Sequence, residues 1–233
     1  AIAGKDSFEK FQRQTAEQGI ANYQGVKVLS GADMVAMTGT SHFPYGVVYE
    51  NGGRVNPYLF TNGMISAAVG LGAVVHGDSE AVKLDAEGSR WRVRTAKGDV
   101  LADRVVFCTN AYPNGIIPEF ERAFYPLTAY GVATKPLPAE ALNIIMPGGA
   151  TFAEVPVDLN PMVKDRHGRL ILSSIPSTSN PQDGASHFQN HLKWIHDLWP
   201  QTKAMPIELE EYWTGRVAMR DKEFPGVFEV KPG

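Results

Sequence analysis

Apolar residues recur at helical spacing in two long stretches of the chain, which predicts two main helices. In the stretch 185–199 they stand at i, i+4, i+7 and i+11, on one face of a helix that Pro200 ends. These residues are Phe188, Leu192, Ile195 and Trp199. The stretch 57–72 begins at Asn56-Pro57, an N-cap residue followed by proline at the first helical position, and it ends on glycines.

Two shorter helices are predicted near the amino terminus. Residues 6–18 carry apolar side chains three positions apart and stop at Gly19. The sequence SGAD at 30–33 resembles a capping box with aspartate in the acidic position, which predicts a short helix through Met37. Short strands are predicted on both sides of that helix, at 26–29 and 45–50.

Between residues 79 and 107 the apolar period becomes two, which is typical of strands. Turn clusters at 86–88 and 97–99 divide this region into an antiparallel meander, which leads into an apolar run at 105–108. Another apolar run, at 73–76, follows the helix and a tight turn. Short continuous apolar runs bounded by turn signals predict buried strands at both places.

Strand patterns dominate the second half of the chain. They lie at 124–134, 151–155, 161–165, 169–174 and 208–219. His167-Gly168 is the predicted hairpin turn between the third and fourth of these strands. The predicted fold class is therefore α+β, an antiparallel sheet with one covering helix, joined to part of an α/β unit.

Composition and charge exclude several classes of protein. The chain has 233 residues, of which 43% are hydrophobic and 20% charged, so it is globular rather than disordered. Its net charge is −3 and it contains no basic run, so nucleic acid is not an expected partner. No apolar stretch approaches the roughly 20 residues that span a bilayer, so no membrane span is expected.

The chemistry-bearing residues give few local signals. Cys108 is the only cysteine, which excludes an internal disulfide and fits a reducing cytoplasm. At the end of an apolar run it is expected to be a buried structural thiol rather than a nucleophile. His187 and His191 share a helix face and would allow a metal-dependent hydrolase, but the sequence HFQNH lacks the glutamate of a metalloprotease helix. A solvated helix face is the favoured interpretation.

Nucleotide-binding loops are also missing. Gly70-Leu71-Gly72 follows a helix and precedes an apolar run, whereas a dinucleotide fingerprint requires strand, glycines and helix in that order. No G-x-S-x-G nucleophile elbow occurs either. What remains is a distributed set of segments: GGRVNP at 52–57, TAKGDVLADRVVFCTNAY at 95–112 and YWTGRVAM at 212–219.

In this order, the three segments resemble FAD-dependent oxidoreductases of the D-amino-acid oxidase and glycine oxidase superfamily, and within it the gamma-glutamylputrescine oxidoreductase group. The resemblance spans about residues 45–227, and the first 40 residues fit loosely. Family members begin with a strand–GxGxxG–helix unit and end with a glycine-rich flavin segment, and neither is in this sequence. The chain is therefore expected to be the middle of such an enzyme, without tight FAD binding or turnover of its own.

The resemblance also implies a division into domains. A helical lead-in covers 1–40, and an antiparallel substrate domain covers 41–56 and 119–219. An incomplete Rossmann-type FAD-binding portion with the meander covers 57–118, and 220–233 returns towards it.

Several residues acquire expected roles from the resemblance. Val82 would contact the adenine end of FAD through its backbone, and the loop Thr109-Asn110-Ala111 would run past the pyrophosphate. Ser173, Ser174 and Trp213 are candidates for the substrate side, with Tyr45 a weaker one. Arg216 would pair with a substrate carboxylate, because a guanidinium fork suits that geometry; the alternative is a surface ion pair with Glu208, Glu210 or Glu211.

The implied reaction oxidises an amine or amino acid by hydride transfer to FAD, giving an imine that water hydrolyses. The cofactor carries out the difficult step, so no conspicuous catalytic residue is required and none is assigned. The electron acceptor, oxygen or a quinone, stays open. The alternative function is a non-catalytic α+β module that binds a ligand or a partner.

Overall fold

The computed structural model describes residues 2, 4–17, 25–154, 159–174, 184–220, 227 and 229. The chain divides into two compact units. The first contains Ala1–Arg54 and Thr128–Gly215, and the second contains Val55–Leu127 and Arg216–Gly233.

The helices and strands follow one another in this order: α1 Lys5–Glu17, β1 Val26–Ser30, α2 Ala32–Thr38, β2 Tyr45–Tyr49, α3 Pro57–Gly70, β3 Ala81–Glu87, β4 Arg90–Thr95, β5 Gly98–Ala102, α4 Pro118–Glu121, β6 Tyr125–Thr134, α5 Ala139–Ile144, β7 Phe152–Glu154, β8 Leu159–Lys164, β9 Leu170–Ser174, α6 Gly184–Leu198 and β10 Leu209–Met219. A short 3-10 helix, Pro200–Ala204, follows α6.

A five-stranded sheet in the order β10-β6-β9-β8-β7 forms the centre of the first unit, beside a two-stranded β1-β2 sheet. Strand β9 pairs antiparallel with both β6 and β8. The hairpin between β8 and β9 is confirmed: the Asp165 carboxylate accepts from the backbone N–H groups of His167 and Arg169. Gly168 has a φ of 74°, which suits glycine at a tight turn.

Helix α6 buries its apolar face in the core of the first unit, as its periodicity predicts. Ile195 and Trp199 are fully buried, and Phe188 and Leu192 pack against the same cluster. The Trp199 indole donates from Nε1 to the carbonyl oxygen of Thr38, at 3.0 Å, so its one polar atom is satisfied inside the core.

The predicted meander is confirmed in the second unit as a three-stranded antiparallel sheet, β3-β4-β5. Arginines on β4 form ion pairs with carboxylates on the flanking strands, at the exposed surface. They are Arg92 with Glu87 and Asp99, and Arg94 with Asp85. Such exposed pairs contribute little stability, but opposite charges on adjacent strands favour this register.

Helix α3 begins as its sequence predicts. The Asn56 side chain accepts from the backbone N–H of Leu59 at 3.0 Å, and Pro57 is the first helical residue. None of its residues is buried within the described structure. Its large apolar side chains, among them Tyr58, Phe60 and Met64, are more than half exposed. Exposure of that much apolar surface is unusual and is typical of a surface that contacts another part of a protein or a partner.

Two predicted strands are wrong. Residues 73–76 and 105–108 are not strands, and in the described part of the chain no strand pairs with either run. An apolar run forms a strand only when neighbours satisfy its backbone groups. Cys108 is exposed as a result, so the predicted buried thiol is also wrong.

The capping box predicted at 30–33 is wrong as well, although the helix that follows it is present. Gly31 is the N-cap residue of α2, and no side chain caps the helix. The overall class is confirmed as α+β with antiparallel sheets. Among the described residues, none of the helices has the length and apolar character to span a membrane.

Candidate functional site

A tight turn at Thr109–Tyr112 lies in the second unit, in the loop predicted to pass the FAD pyrophosphate. The Tyr112 N–H closes the turn by donating to the Thr109 carbonyl oxygen at 3.0 Å. Asn110 has a φ of 48°, in the left-handed region that asparagine tolerates better than most residues. The N–H groups of Asn110 and Ala111 have no hydrogen-bond partner in the described structure; Asn110 is exposed and its N–H suits an anion, whereas Ala111 is buried.

Two side chains of this turn hold the end of β10. The Asn110 Oδ1 accepts from the N–H of Ala218 at 2.9 Å, and the Tyr112 hydroxyl oxygen accepts from the N–H of Arg216 at 2.8 Å. The Arg216 guanidinium carbon lies 5.2 Å from the centre of the Tyr112 ring, which is cation–π distance. Tyr112 therefore orients Arg216 through both its ring and its hydroxyl.

The surface ion pair weighed as an alternative for Arg216 is not present among the described residues. Glu208 pairs instead with Lys135, at 2.6 Å. The hydrogen bond from Lys135 lowers the pKa of Glu208, and the same bond raises the pKa of Lys135. No described carboxylate forms an ion pair with Arg216, so its planar fork of N–H donors is open to a ligand carboxylate.

Val82 lies at an irregularity in β3. Ala81 pairs with Thr95 and Lys83 with Arg94, so Val82 is an extra residue without a partner on β4. Such a bulge leaves a residue outside the regular ladder. The Val82 side chain is 59% exposed, so the residue is also not part of the core of its unit.

Ser174 and two of the three histidines of α6, His187 and His191, lie together in the first unit. The Nδ1 of His191 is 3.0 Å from the His187 carbonyl oxygen, which accepts only, so Nδ1 carries the proton. The Nε2 of His191 then accepts from the Ser174 hydroxyl at 3.0 Å. Burial lowers the pKa of His191 and keeps its ring neutral.

The expected solvated helix face is therefore wrong, since His187 and His191 are only 5% and 3% exposed. The His187 ring packs 5.0 Å from the Tyr130 ring on β6. Aromatic packing and the Ser174 hydroxyl give these polar rings partners inside the protein, which apolar periodicity does not reveal. No group of three or more His, Cys, Asp and Glu residues that could hold a metal occurs in the described ranges.

Ser173 and Ser174 point to opposite faces of the sheet, because successive strand side chains alternate. Ser174 points to α6, so Ser173 points away from it. Ser173 pairs with Gly131, and paired residues share a face. The Trp213 indole lies against Gly131. The structure thus brings Ser173 and Trp213 to one face and separates Ser174 from them.

Tyr45 is used in packing within the first unit. Its ring stacks on Phe8 of α1, with a centroid distance of 4.7 Å and an interplanar angle of 9°. Its carbonyl oxygen accepts from the N–H of Ile2. An open cavity of about 470 Å³ lies nearby on β2, lined in part by Arg54 and Gly149, and none of the predicted site residues lines it.

Two residues, and one contact between residues already considered, were not identified from the sequence. Tyr112 stood in the segment TNAY, but only the three residues before it were singled out. Gly131 interrupts an apolar strand pattern, which is a known signal for the close approach of another group. The partnership of His191 with Ser174 joins positions far apart in sequence and leaves no local signal.

Comparison with protein families places this arrangement in a known group. The family model DAO, described as FAD dependent oxidoreductase, matches residues 2–232. The chain therefore belongs to the DAO family of FAD-dependent oxidoreductases.

Relatives and solved structures agree with that assignment. A probable oxidoreductase OrdL from Rhizobium meliloti is 24% identical to this chain. The match covers 100% of this chain and 54% of the relative. Another, from Haemophilus influenzae, is 22% identical over 90% of the chain and 48% of its own length. The chain thus spans about half the length of these curated relatives.

Solved structures show the same fold. Glycine oxidase from Geobacillus kaustophilus has a TM-score of 0.74 at 16% identity and covers 96% of this chain and 59% of its own. The L-amino acid deaminase from Proteus myxofaciens, solved in complex with anthranilate, has a TM-score of 0.74 at 12% identity. That match covers 100% of this chain and 64% of the deaminase chain.

Proposed function

We propose that this chain belongs to a flavoenzyme that oxidises an amine or amino acid, with Arg216 binding a carboxylate of the substrate. The observation that carries the proposal is the Arg216 guanidinium, which lies on the Tyr112 ring and forms no ion pair with any described residue. A cation held in place without an anionic partner suits a ligand that brings the carboxylate itself.

The second unit has features that fit FAD. The unbonded N–H group of Asn110, in a turn with a left-handed residue, suits the oxygens of a pyrophosphate. The bulge at Val82 suits a backbone contact with the adenine. Thr109 is exposed at the start of the turn and would add a hydroxyl to the same contact.

On the substrate side, Ser173 and Trp213 are proposed as contacts on the sheet face opposite α6. We propose a structural role for Ser174 instead, because its hydroxyl donates a hydrogen bond to His191. Only the hydroxyl of Tyr45 is proposed to contact the substrate, because its ring stacks on Phe8. The amine must lose its proton before oxidation, and no residue is assigned as the acceptor of that proton.

When bound, FAD supplies the hydride acceptor for the carbon that bears the amine. The neutral amine would lose a hydride from that carbon and a proton to water, which leaves an imine that water converts to a carbonyl compound and an amine or ammonia. In this scheme Arg216 binds the carboxylate of the substrate and orients it. The electron acceptor of the whole enzyme, oxygen or a quinone, stays open.

Within the DAO family, we propose that the chain is related to the gamma-glutamylputrescine oxidoreductase group. This proposal rests on the similarity of the segments 52–57, 95–112 and 212–219. A substrate of that type carries both an amine and a carboxylate, which suits the unpaired cation of Arg216. This chain is further proposed to supply only part of the FAD site. The support is the exposed apolar surface of α3 and the coverage of about half of the relatives' length.

The test compares Arg216→Lys with wild type in the whole flavoprotein, using matched amines with and without a carboxylate. The lysine keeps the charge but loses the planar fork, so KM for the carboxylate substrate should rise about tenfold or more with kcat little changed. Arg104→Lys, at another exposed position of the second unit, is the control. An equal effect on both substrates would contradict the role of Arg216.

A further inference from the structure

The Trp213 indole occupies the place where Gly131 would carry a side chain. A Cβ atom added at Gly131 would overlap three ring atoms of Trp213, namely Cε2, Nε1 and Cζ2. The ring therefore lies on the backbone of β6. Gly131 itself is buried, whereas Trp213 is 45% exposed, so one side of the indole rests on the strand and the other is open.

The surroundings of this ring define its place in the fold. Gly131 pairs with Ser173 on β9, so the Ser173 side chain shares the sheet face on which the indole lies. The opposite face carries Tyr130 and Ser174, which contact the histidines of α6. The indole and Ser173 thus form a flat surface on the sheet face away from the helix.

One acidic side chain shares the sheet face of the indole. Glu211 lies two residues before Trp213 on β10, and alternate side chains of a strand share a face. Tyr212 contacts Phe188 of α6, so Glu210 lies on the α6 side instead. Glu211 forms no ion pair within the described structure, and its charge attracts cations to the indole.

We propose that the Trp213 indole is a platform for the ammonium group of the arriving substrate, and that Gly131 is the positioning residue that makes the platform possible. The inference rests on the proposed function, because it takes the substrate to be an amine. Alkyl amines are protonated in neutral water, and an exposed indole face attracts such a cation. A side chain at position 131 would lift the ring from the strand and remove the flat surface.

The test needs neither FAD nor turnover, so its outcome is separate from that of the proposed oxidation. Choline is the probe, and its neutral carbon isostere, in which carbon replaces the quaternary nitrogen, is the control ligand. Binding is followed by NMR at the indole N–H resonances, which separate Trp213 from the other three tryptophans of the chain. The Trp213 resonance is assigned from its absence in Trp213→Phe.

Choline, but not the isostere, should shift the Trp213 resonance, and Trp213→Ala should bind choline about threefold to tenfold more weakly by calorimetry. Gly131→Ala should weaken binding similarly, whereas Gly215→Ala, whose Cβ meets nothing within 4 Å, should not. If Gly131→Ala fails to fold, the comparison of Trp213→Ala with Trp213→Phe decides, since the phenyl ring keeps part of the affinity. An equal response to both ligands, or binding unchanged in Trp213→Ala, would overturn the proposal.

Discussion

The backbone N–H of Arg216 donates to the hydroxyl oxygen of Tyr112 at 2.8 Å, while the Arg216 guanidinium lies over the ring of the same tyrosine. One side chain therefore fixes both the strand and the charged group of Arg216. Asn110, two residues earlier in the same turn, holds the strand again at Ala218. The turn proposed to contact FAD is thus bonded directly to the residue proposed to bind substrate.

Tyr112→Phe should weaken substrate binding more than it slows turnover. The variant keeps the ring under the guanidinium but removes the acceptor of the Arg216 N–H, and a hydrogen bond of this kind contributes about 1 kcal/mol. KM for an amino-acid substrate should rise about fivefold with kcat nearly constant, and Tyr112→Leu should raise it further. A similar rise for an amine without a carboxylate would show that Tyr112 does not act through Arg216.

Asn110→Asp should lower the affinity for FAD. The aspartate keeps an oxygen that accepts from the Ala218 N–H, but it brings a negative charge to the turn proposed to face the pyrophosphate. We expect Kd for FAD in the whole flavoprotein to rise at least about tenfold, measured by flavin fluorescence. Asn143→Asp, at an exposed position of α5 in the first unit, is the charge control and should leave Kd unchanged. An unchanged Kd in Asn110→Asp would remove the turn from the cofactor site.

Because of His191, the protein should be less stable in mild acid than at neutral pH. Burial lowers its pKa in the folded state, whereas in the unfolded state it ionises with an ordinary pKa near 6.5. The neutral His191 ring therefore makes its full contribution to stability above pH 6.5. As the pH falls below that value, the free energy of unfolding decreases by up to about 1.4 kcal/mol per pH unit.

Urea unfolding between pH 7.5 and 5.5, an interval of about two units around this pKa, measures the effect. His196, whose pKa is also lowered by burial, adds to the loss in wild type, so the comparison is between slopes. His191→Gln should show a shallower decline of the free energy of unfolding than wild type. Parallel declines would mean that His191 does not resist protonation.

Gly39→Ala should destabilise the first unit strongly. Gly39 ends α2 with a φ of 76°, and an added Cβ would overlap the carbonyl oxygen of Ile144. Left-handed strain and the backbone clash together should cost at least about 2 kcal/mol in the free energy of unfolding. Gly53→Ala, whose Cβ meets no atom within 4 Å, should change it by less than about 0.5 kcal/mol. Equal effects would contradict this packing.

Local patterns sufficed for much of the fold. The period of α6, the N-cap of α3, the meander and the hairpin before β9 follow from spacing and turn chemistry, and the structure has each of them. Each depends on neighbours a few residues apart. The predicted strands at 73–76 and 105–108 failed because a strand also needs a partner, and an apolar run does not show whether one is present.

The candidate site was less predictable for the same reason. The loop 109–111 and Arg216 entered through a family resemblance rather than through a local motif. Their connection runs through Tyr112, more than a hundred residues from Arg216 along the chain, and only the fold brings the two together. The burial of His187 and His191 likewise depends on Tyr130 and Ser174, which lie on other elements.

A related expectation concerns the 233-residue chain by itself. It should purify without stoichiometric FAD, because the unbonded N–H groups of one turn and one bulged strand are few contacts for so large a cofactor. Visible flavin absorbance measured against protein concentration checks this. A yellow preparation with one flavin per chain would show that the described residues hold the cofactor unaided.

The proposed function makes this chain part of a flavoenzyme that oxidises amines or amino acids. The most direct measurement is the visible absorbance of the whole flavoprotein during anaerobic titration with a panel of amines and amino acids. We expect loss of the flavin absorbance with a substrate that carries both an amine and a carboxylate, release of the matching carbonyl compound, and a much weaker response in Arg216→Lys. Flavin absorbance that no member of the panel changes would contradict it.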